Sequence, residues 1–135
     1  MEEHLPPHIA AWFAGQGWQP HGHQLEMLDA AQKGAHAMLV APTGGGKTLA
    51  GFLPSLAELG MAPPDGLHTL YISPLKALAV DIARNLDRPI AEMELPIRVE
   101  TRTGDTPSSK KMRQRVKPPH MLMTTPESLS ILLSY

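Results

Sequence analysis

The sequence predicts an α/β fold: a parallel sheet with helices on both faces, in three layers. Three observations carry this. Apolar runs of strand length alternate with helical periods four times, at residues 36–40, 67–72, 97–101 and 120–123, and such alternation implies right-handed βαβ units. Three strand-to-helix junctions read Ser73-Pro74, Thr106-Pro107 and Thr125-Pro126, each an N-cap residue followed by proline at the first helical position. The other junction, Ala41-Pro42-Thr43-Gly44-Gly45-Gly46-Lys47-Thr48, is a glycine-rich loop. Ligands of parallel sheets bind at the C-terminal strand ends, so the four junctions are expected to share one rim.

In chain order, Leu5 to Phe13 predicts a short helix with prolines near its start, ended by Gly15-Gln16-Gly17. Gln24 to Lys33 predicts a second, with Leu25, Leu28 and Ala31 on one face and Gly34 as its stop. After the first strand, helix resumes from Lys47 to about Leu59, and Pro54 predicts a kink or an early end. Strand 67–72 leads into a helix whose apolar face is Leu75, Leu78, Ala79 and Ile82. Strand 97–101 precedes a basic helix, and strand 120–123 precedes a leucine-rich one.

The chain has 135 residues, enough for one domain or part of one. Twelve basic and 13 acidic residues give a net charge of −1, which excludes binding DNA by bulk positive charge. The charge is uneven. Seven basic residues (Arg98, Arg102, Lys110, Lys111, Arg113, Arg115, Lys117) face two acids, Glu100 and Asp105, within 98–117, a net +5. The remainder carries five basic and eleven acidic residues, a net −6. Such asymmetry marks either an anion-binding face or a solvated helix surface. The chain has no cysteine, so a disulfide scaffold, a thiolate zinc site and a cysteine nucleophile are excluded. The first residues are acidic and lack an apolar stretch, and no apolar run approaches the roughly 20 residues that span a bilayer. A cytoplasmic protein without a membrane partner is expected. Among the seven histidines, His4 and His8 are one helical turn apart and His21 lies close to His23, but no spacing supplies a third metal ligand. They are read as surface residues.

Ala41 to Thr48 fits the phosphate-loop pattern between a strand and a helix, the context that gives the pattern meaning. Gly44, Gly45 and Gly46 have no Cβ, so the backbone can curl its N–H groups toward phosphate oxygens. The helix opening at Lys47 adds its positive end. Lys47 is placed to reach the β- and γ-phosphates of ATP, and the Thr48 hydroxyl to ligate Mg²⁺. Upstream, Trp18-Gln19-Pro20-His21-Gly22-His23-Gln24 sets a glutamine four residues after a proline. An amide both donates and accepts, so Gln24 can match the adenine edge. Taken alone, it reads more simply as a polar first-turn helix residue.

With Tyr71-Ile72-Ser73-Pro74-Leu75-Lys76-Ala77-Leu78-Ala79, then Arg102-Thr103-Gly104-Asp105-Thr106, then Thr124-Thr125-Pro126-Glu127-Ser128-Leu129, the ordered set resembles the superfamily 2 helicases. It is similar in particular to the large helicase-related (Lhr-type) enzymes and the bacterial ligase-associated DEXH-box subgroup. The resemblance runs from Trp18 to the end and leaves residues 1–17 as a helical extension. It implies a RecA-like P-loop NTPase domain, with ATP and Mg²⁺ as cofactors and Lys47 and Thr48 as catalytic residues. Thr43, Gly44, Gly45 and Gly46 would hold the phosphates, and Gln24 stands at the adenine-reading position. A DNA strand, single or duplex, or an RNA would run along Ser73, Pro74, Leu75, Lys76, Gly104, Asp105, Thr124, Thr125, Pro126 and Glu127. Helix starts suit backbone phosphates independently of sequence, and the basic helix could add counter-ion release. Lys76 reads equally as an exposed helical lysine. Glu127 reads more simply as a favourable first-turn charge.

The acidic box of that superfamily, Asp-Glu-x-His/Asp, is absent from the chain. In relatives it follows the TTPESL segment by one strand, binds Mg²⁺ and positions the attacking water. The expectation is the N-terminal part of a longer helicase, without the acidic-box strand or second RecA-like domain; a role in DNA repair is implied by the resemblance alone. Little ATP turnover and poor solubility are then expected, the latter from an open sheet edge and the unburied Leu129, Ile131, Leu132 and Leu133. A P-loop kinase or GTPase is the competing enzyme class, but the guanine-reading Asn-Lys-x-Asp does not occur. A non-catalytic ATP- or nucleic-acid-binding module is the third reading.

Overall fold

The computed structural model describes residues 5–39, 47–60 and 62–134. The chain divides into two compact units, Met1–Gly60 and Met61–Tyr135.

The first unit is helical: α1 (Pro7–Gly15), α2 (Gly22–Gln32) and α3 (Lys47–Leu59). Proline at the first position starts α1. Its end is a Schellman turn, with Gly17 N–H donating to Ala14 O at 3.0 Å and Trp18 N–H to Phe13 O at 2.9 Å. Gly17 has φ +73°, which favours glycine. Helix α2 ends the same way at Gly34, as its sequence predicts, with Gly34 N–H on Ala31 O and Ala35 N–H on Ala30 O. Helices α2 and α3 pack together. Leu25 and Leu28 of α2 and Ala50, Phe52, Leu53, Leu56 and Leu59 of α3 are buried.

The predicted bounds of α3 hold: the helix runs through Pro54 to Leu59, so of the two effects offered for the proline the early end does not occur. Its apolar face, buried on both sides of the proline, outweighs one missing hydrogen bond. The strand expected at 36–40 does not form among the described residues: 36–39 carry no sheet pairing and Met38 is exposed. A strand needs a partner, and this short run of histidine, alanine, methionine and leucine buries too little to impose one.

The second unit is a three-stranded parallel sheet in the order β1-β3-β2, formed by β1 (Thr69–Ile72), β2 (Val99–Arg102) and β3 (Met121–Thr124). Helices α4 (Lys76–Glu92), α5 (Ser108–Val116) and α6 (Pro126–Leu133) alternate with the strands. Every residue of the central β3 is buried, as an apolar strand covered on both faces must be. Helix α4 packs on β2 and β3 through a stripe containing Ala79, Ile82, Leu86 and Ile90. Leu75 and Leu78, expected on that face, are exposed. Edge strand β1 leaves Leu70 and Ile72 exposed, and α6 leaves Ile131 and Leu133 exposed while Leu129 and Leu132 are half-buried.

The end of α4 is a Schellman turn without glycine. Glu94, at φ +54°, donates to Ala91 O, and Leu95 N–H donates to Ile90 O. At the entry of β3, His120 is fixed by Arg98: its Nδ1 accepts from Arg98 N–H at 2.9 Å, and its own N–H donates to Arg98 O at 3.1 Å. Burial, then the Arg98 charge, holds the imidazole below the usual histidine range; His68 acts in the same direction and Asp65 against it.

Two outcomes follow from these turns and this histidine. Glu94→Gly, by removing a left-handed non-glycine residue, raises stability by about 0.5–1 kcal/mol in a urea titration; a loss of stability would contradict the turn assignment. Because His120 is held neutral, its contribution is complete above the ordinary pKa of 6.5 and is lost as pH falls through the lowered folded value. Melts between pH 7.5 and 5 should therefore show a stability loss that His120→Asn, which keeps an acceptor near Nδ1, reduces; an unchanged slope would exclude His120 as its source.

Candidate functional site

In the first unit, Gln24 is buried, and its Oε1 accepts from His21 N–H at 2.8 Å. This is the returning half of a capping box, so the amide holds the start of α2 whatever else it reads. The His21 and His23 rings stack with centroids 5.3 Å apart. His21 is exposed, but His8 and His23 are half-buried, each with a buried Nε2 lacking a hydrogen-bond partner; the expectation that all are surface residues fails for these two. No group of three metal-ligating side chains occurs among the described residues. Lys47 opens α3, so the backbone places both Lys47 and Thr48 in its first turn. Thr43, Gly44, Gly45, Gly46 and the side chains of Lys47 and Thr48 lie outside the described residues.

In the second unit, three of the four expected junctions lie together. Ile72, Thr124 and Arg102 are level in the sheet register, at the C-terminal ends of β1, β3 and β2. Ser73 N–H continues the ladder by donating to Thr124 O at 3.0 Å. The buried Thr124 hydroxyl donates to Arg102 O at 2.7 Å. All three exits are thereby tied to one another.

Each junction is shaped locally. Thr125 caps α6 as predicted: its Oγ1 accepts from Ser128 N–H at 3.4 Å and Pro126 takes the first turn. Glu127 is exposed in that turn, beside the positive helix end. The other two cap signatures behave differently. The Ser73 hydroxyl accepts from Leu75 N–H at 3.2 Å, a local turn, and α4 starts only at Lys76 because Leu75 is extended, with ψ 113°. Thr106 Oγ1 turns backward to accept from Thr103 N–H at 2.9 Å, closing the 103–106 turn and leaving Pro107 at the cap of α5. Gly104 is exposed in this turn, and a Cβ built there meets nothing within 4 Å.

Lys76 Nζ and the Asp105 carboxylate form an ion pair, with side chains 55% and 72% exposed. The pair joins the β1 and β2 exits, although β3 lies between those strands. The basic segment is partly neutralised from within. Glu100, whose side chain is only 13% exposed, receives Arg113 at 3.3 Å, Arg98 at 3.7 Å and the Gln114 amide at 3.0 Å. Arg98 also donates to Pro118 O at 2.6 Å. Sequence reasoning gave no role to Arg102, which the structure places at the rim, 5% exposed, its guanidinium without an ion pair among the described residues. Its position directly after the predicted strand 97–101 and two residues before Gly104 was the available signal.

Residues 21–134 match the model of the DEAD/DEAH box helicases, and the chain belongs to that family. It is a homologue of the Lhr-type helicases. ATP-dependent helicase Lhr-Core of Methanothermobacter thermautotrophicus is 40% identical over 143 residues, covering 96% of this chain and 17% of that protein. Lhr helicase/uracil glycosylase of Escherichia coli is 39% identical over 147 residues, covering 95% and 10%. The structure of Mycobacterium smegmatis helicase Lhr bound to ssDNA and AMP-PNP matches with a TM-score of 0.87 and 38% identity, over 97% of this chain and 18% of that one. The α/β fold with a parallel sheet is thus that of the RecA-like helicase domain, as the sequence predicts. The chain spans less than a fifth of the length of these relatives.

The cap at the third junction can be weighed directly. Thr125→Ala leaves Ser128 N–H without its acceptor and should cost about 0.5–2 kcal/mol in chemical denaturation, with Thr125→Ser restoring most of it. Equal stability of the alanine and serine variants would show that the cap contributes nothing.

Proposed function

We propose that the chain is the N-terminal part of the first RecA-like domain of an ATP-dependent DNA helicase or translocase. The observation that carries this reading is the convergence of the β1, β2 and β3 exits at one rim, in a fold shared with a helicase solved on ssDNA and AMP-PNP. Ser73, Pro74, Leu75, Lys76, Gly104, Asp105, Thr124, Thr125, Pro126 and Glu127 line the polynucleotide track in this reading. At Gly104 a side-chain carbon would meet open space, so the turn leaves room for a strand to lie close to its backbone. Arg102 ends β2 at the same rim with its side chain buried.

Thr43, Gly44, Gly45, Gly46, Lys47 and Thr48 bind ATP, with Thr48 toward Mg²⁺ and Gln24 toward the adenine. The start of α3 at Lys47 fits a triphosphate, because the first N–H groups of a helix have no intrahelical acceptor and its dipole favours anions. Bound Mg²⁺ would offset phosphate charge. The sequence contains no Asp-Glu-x-His/Asp, so the chain by itself binds nucleotide without turning it over. The ligase-associated DNA-repair subgroup is the finer assignment that the motifs favour; no helix among the described residues is long and apolar enough to cross a membrane.

A fluorescent ATP analogue titrated into the chain tests the nucleotide half. Lys47→Ala should weaken binding by at least about tenfold, since charge-assisted phosphate contacts are among the strong ones, while phosphate release stays at background for both proteins. Equal affinities would refute the phosphate-loop assignment.

A further inference from the structure

We propose that Asp105 is an internal stand-in for a polynucleotide phosphate, held on Lys76 until a strand replaces it. This inference rests on the track assigned above and adds a regulating contact within it. The two charges come from junctions that are not neighbours: Lys76 opens α4 after β1, and Asp105 lies in the turn after β2. With β3 between those strands, neighbouring strands about 4.8 Å apart put the two outer exits about 10 Å from each other. The ion pair therefore reaches across the exit of β3, where Thr124 and Thr125 lead into α6.

The turn that presents Asp105 is built. Thr103 N–H donates to Thr106 Oγ1, Thr106 N–H donates to Thr103 O, and Asp105 N–H donates to Thr103 Oγ1 at 3.3 Å. These bonds fix the backbone and leave the carboxylate free to face Lys76. On the other side, Ser73 is anchored to Thr124 and to Leu75, which sets where α4 and Lys76 begin. Both partners are thus positioned by their own turns, and the pair is not needed to hold the fold.

A carboxylate and a phosphodiester each offer anionic oxygens to an ammonium group, and one lysine cannot bind both fully. A strand that reaches Lys76 must displace Asp105. Because both side chains are more than half exposed, the existing pair is weak and exchangeable. The exchange lowers the net gain from the Lys76 contact and leaves a negative charge beside the strand, which favours release.

The test is the anisotropy of a labelled oligothymidylate titrated with the chain across a salt series. The variants are Asp105→Asn, Asp105→Ser, Lys76→Gln and the Asp105→Asn/Lys76→Gln double variant, each checked for folding by circular dichroism. Removing Asp105 by either substitution should tighten binding about two- to five-fold. It should also steepen log K against log salt by about 0.7, the value for one more counter-ion released from a single strand. The gain should vanish in the Lys76→Gln background. Wild-type binding with no gain in either Asp105 variant overturns the stand-in and leaves the track intact. A gain of equal size with and without Lys76 also overturns it, since that is a general charge effect. Failure of every folded variant, wild type included, to bind the oligonucleotide removes the track and the stand-in together.

Discussion

The register of the central strand β3 between its two parallel neighbours is the constraint on which the candidate site depends. Ile72, Thr124 and Arg102 are level because the three strands pair without offset. The apolar Met121, Leu122 and Met123 hold β3 in place by burial on both faces. Thr124 then enters a buried position with a hydroxyl that must find a partner, and it finds Arg102 O. A slip of one residue would turn every side chain of β3 to the opposite face and break this bond with the Ser73–Thr124 contact. Core packing and the geometry of the rim are therefore one requirement.

Electrostatics at the rim is local. The segment with net charge +5 does not present a uniform basic face, because Glu100 draws Arg98 and Arg113 toward itself and away from any ligand. Gln114, buried, bridges Glu100 and Thr101 O and fixes α5 against β2. What remains is a small number of placed groups: Lys76 paired with Asp105, and the capped start of α6. Such an arrangement grips a backbone at defined points, in keeping with the near-neutral total charge.

The first unit achieves the same economy through helix ends. Gln24 holds the N-terminal turn of α2 while occupying the position that the family resemblance reserves for adenine. Helix α3 tolerates Pro54 because its buried residues flank the proline on both sides.

The sequence by itself determined what depends on near neighbours. The order and kind of most elements, the glycine stops at Gly17 and Gly34, and the Thr125-Pro126 cap were legible because each is decided within a few residues. The family was legible because its motifs sit at such junctions. The tertiary structure decided what depends on residues distant in the chain. Nothing local says that β3 inserts between β1 and β2, that Lys76 meets Asp105, or that Glu100 collects Arg98 and Arg113. The same limit explains the errors. Ser73 and Thr106 look like Thr125 in sequence, yet their hydroxyls turn to Leu75 and Thr103 because the backbone leaves the strand differently. Residues 36–39 have strand-like composition, but pairing, which composition does not supply, is what makes a strand.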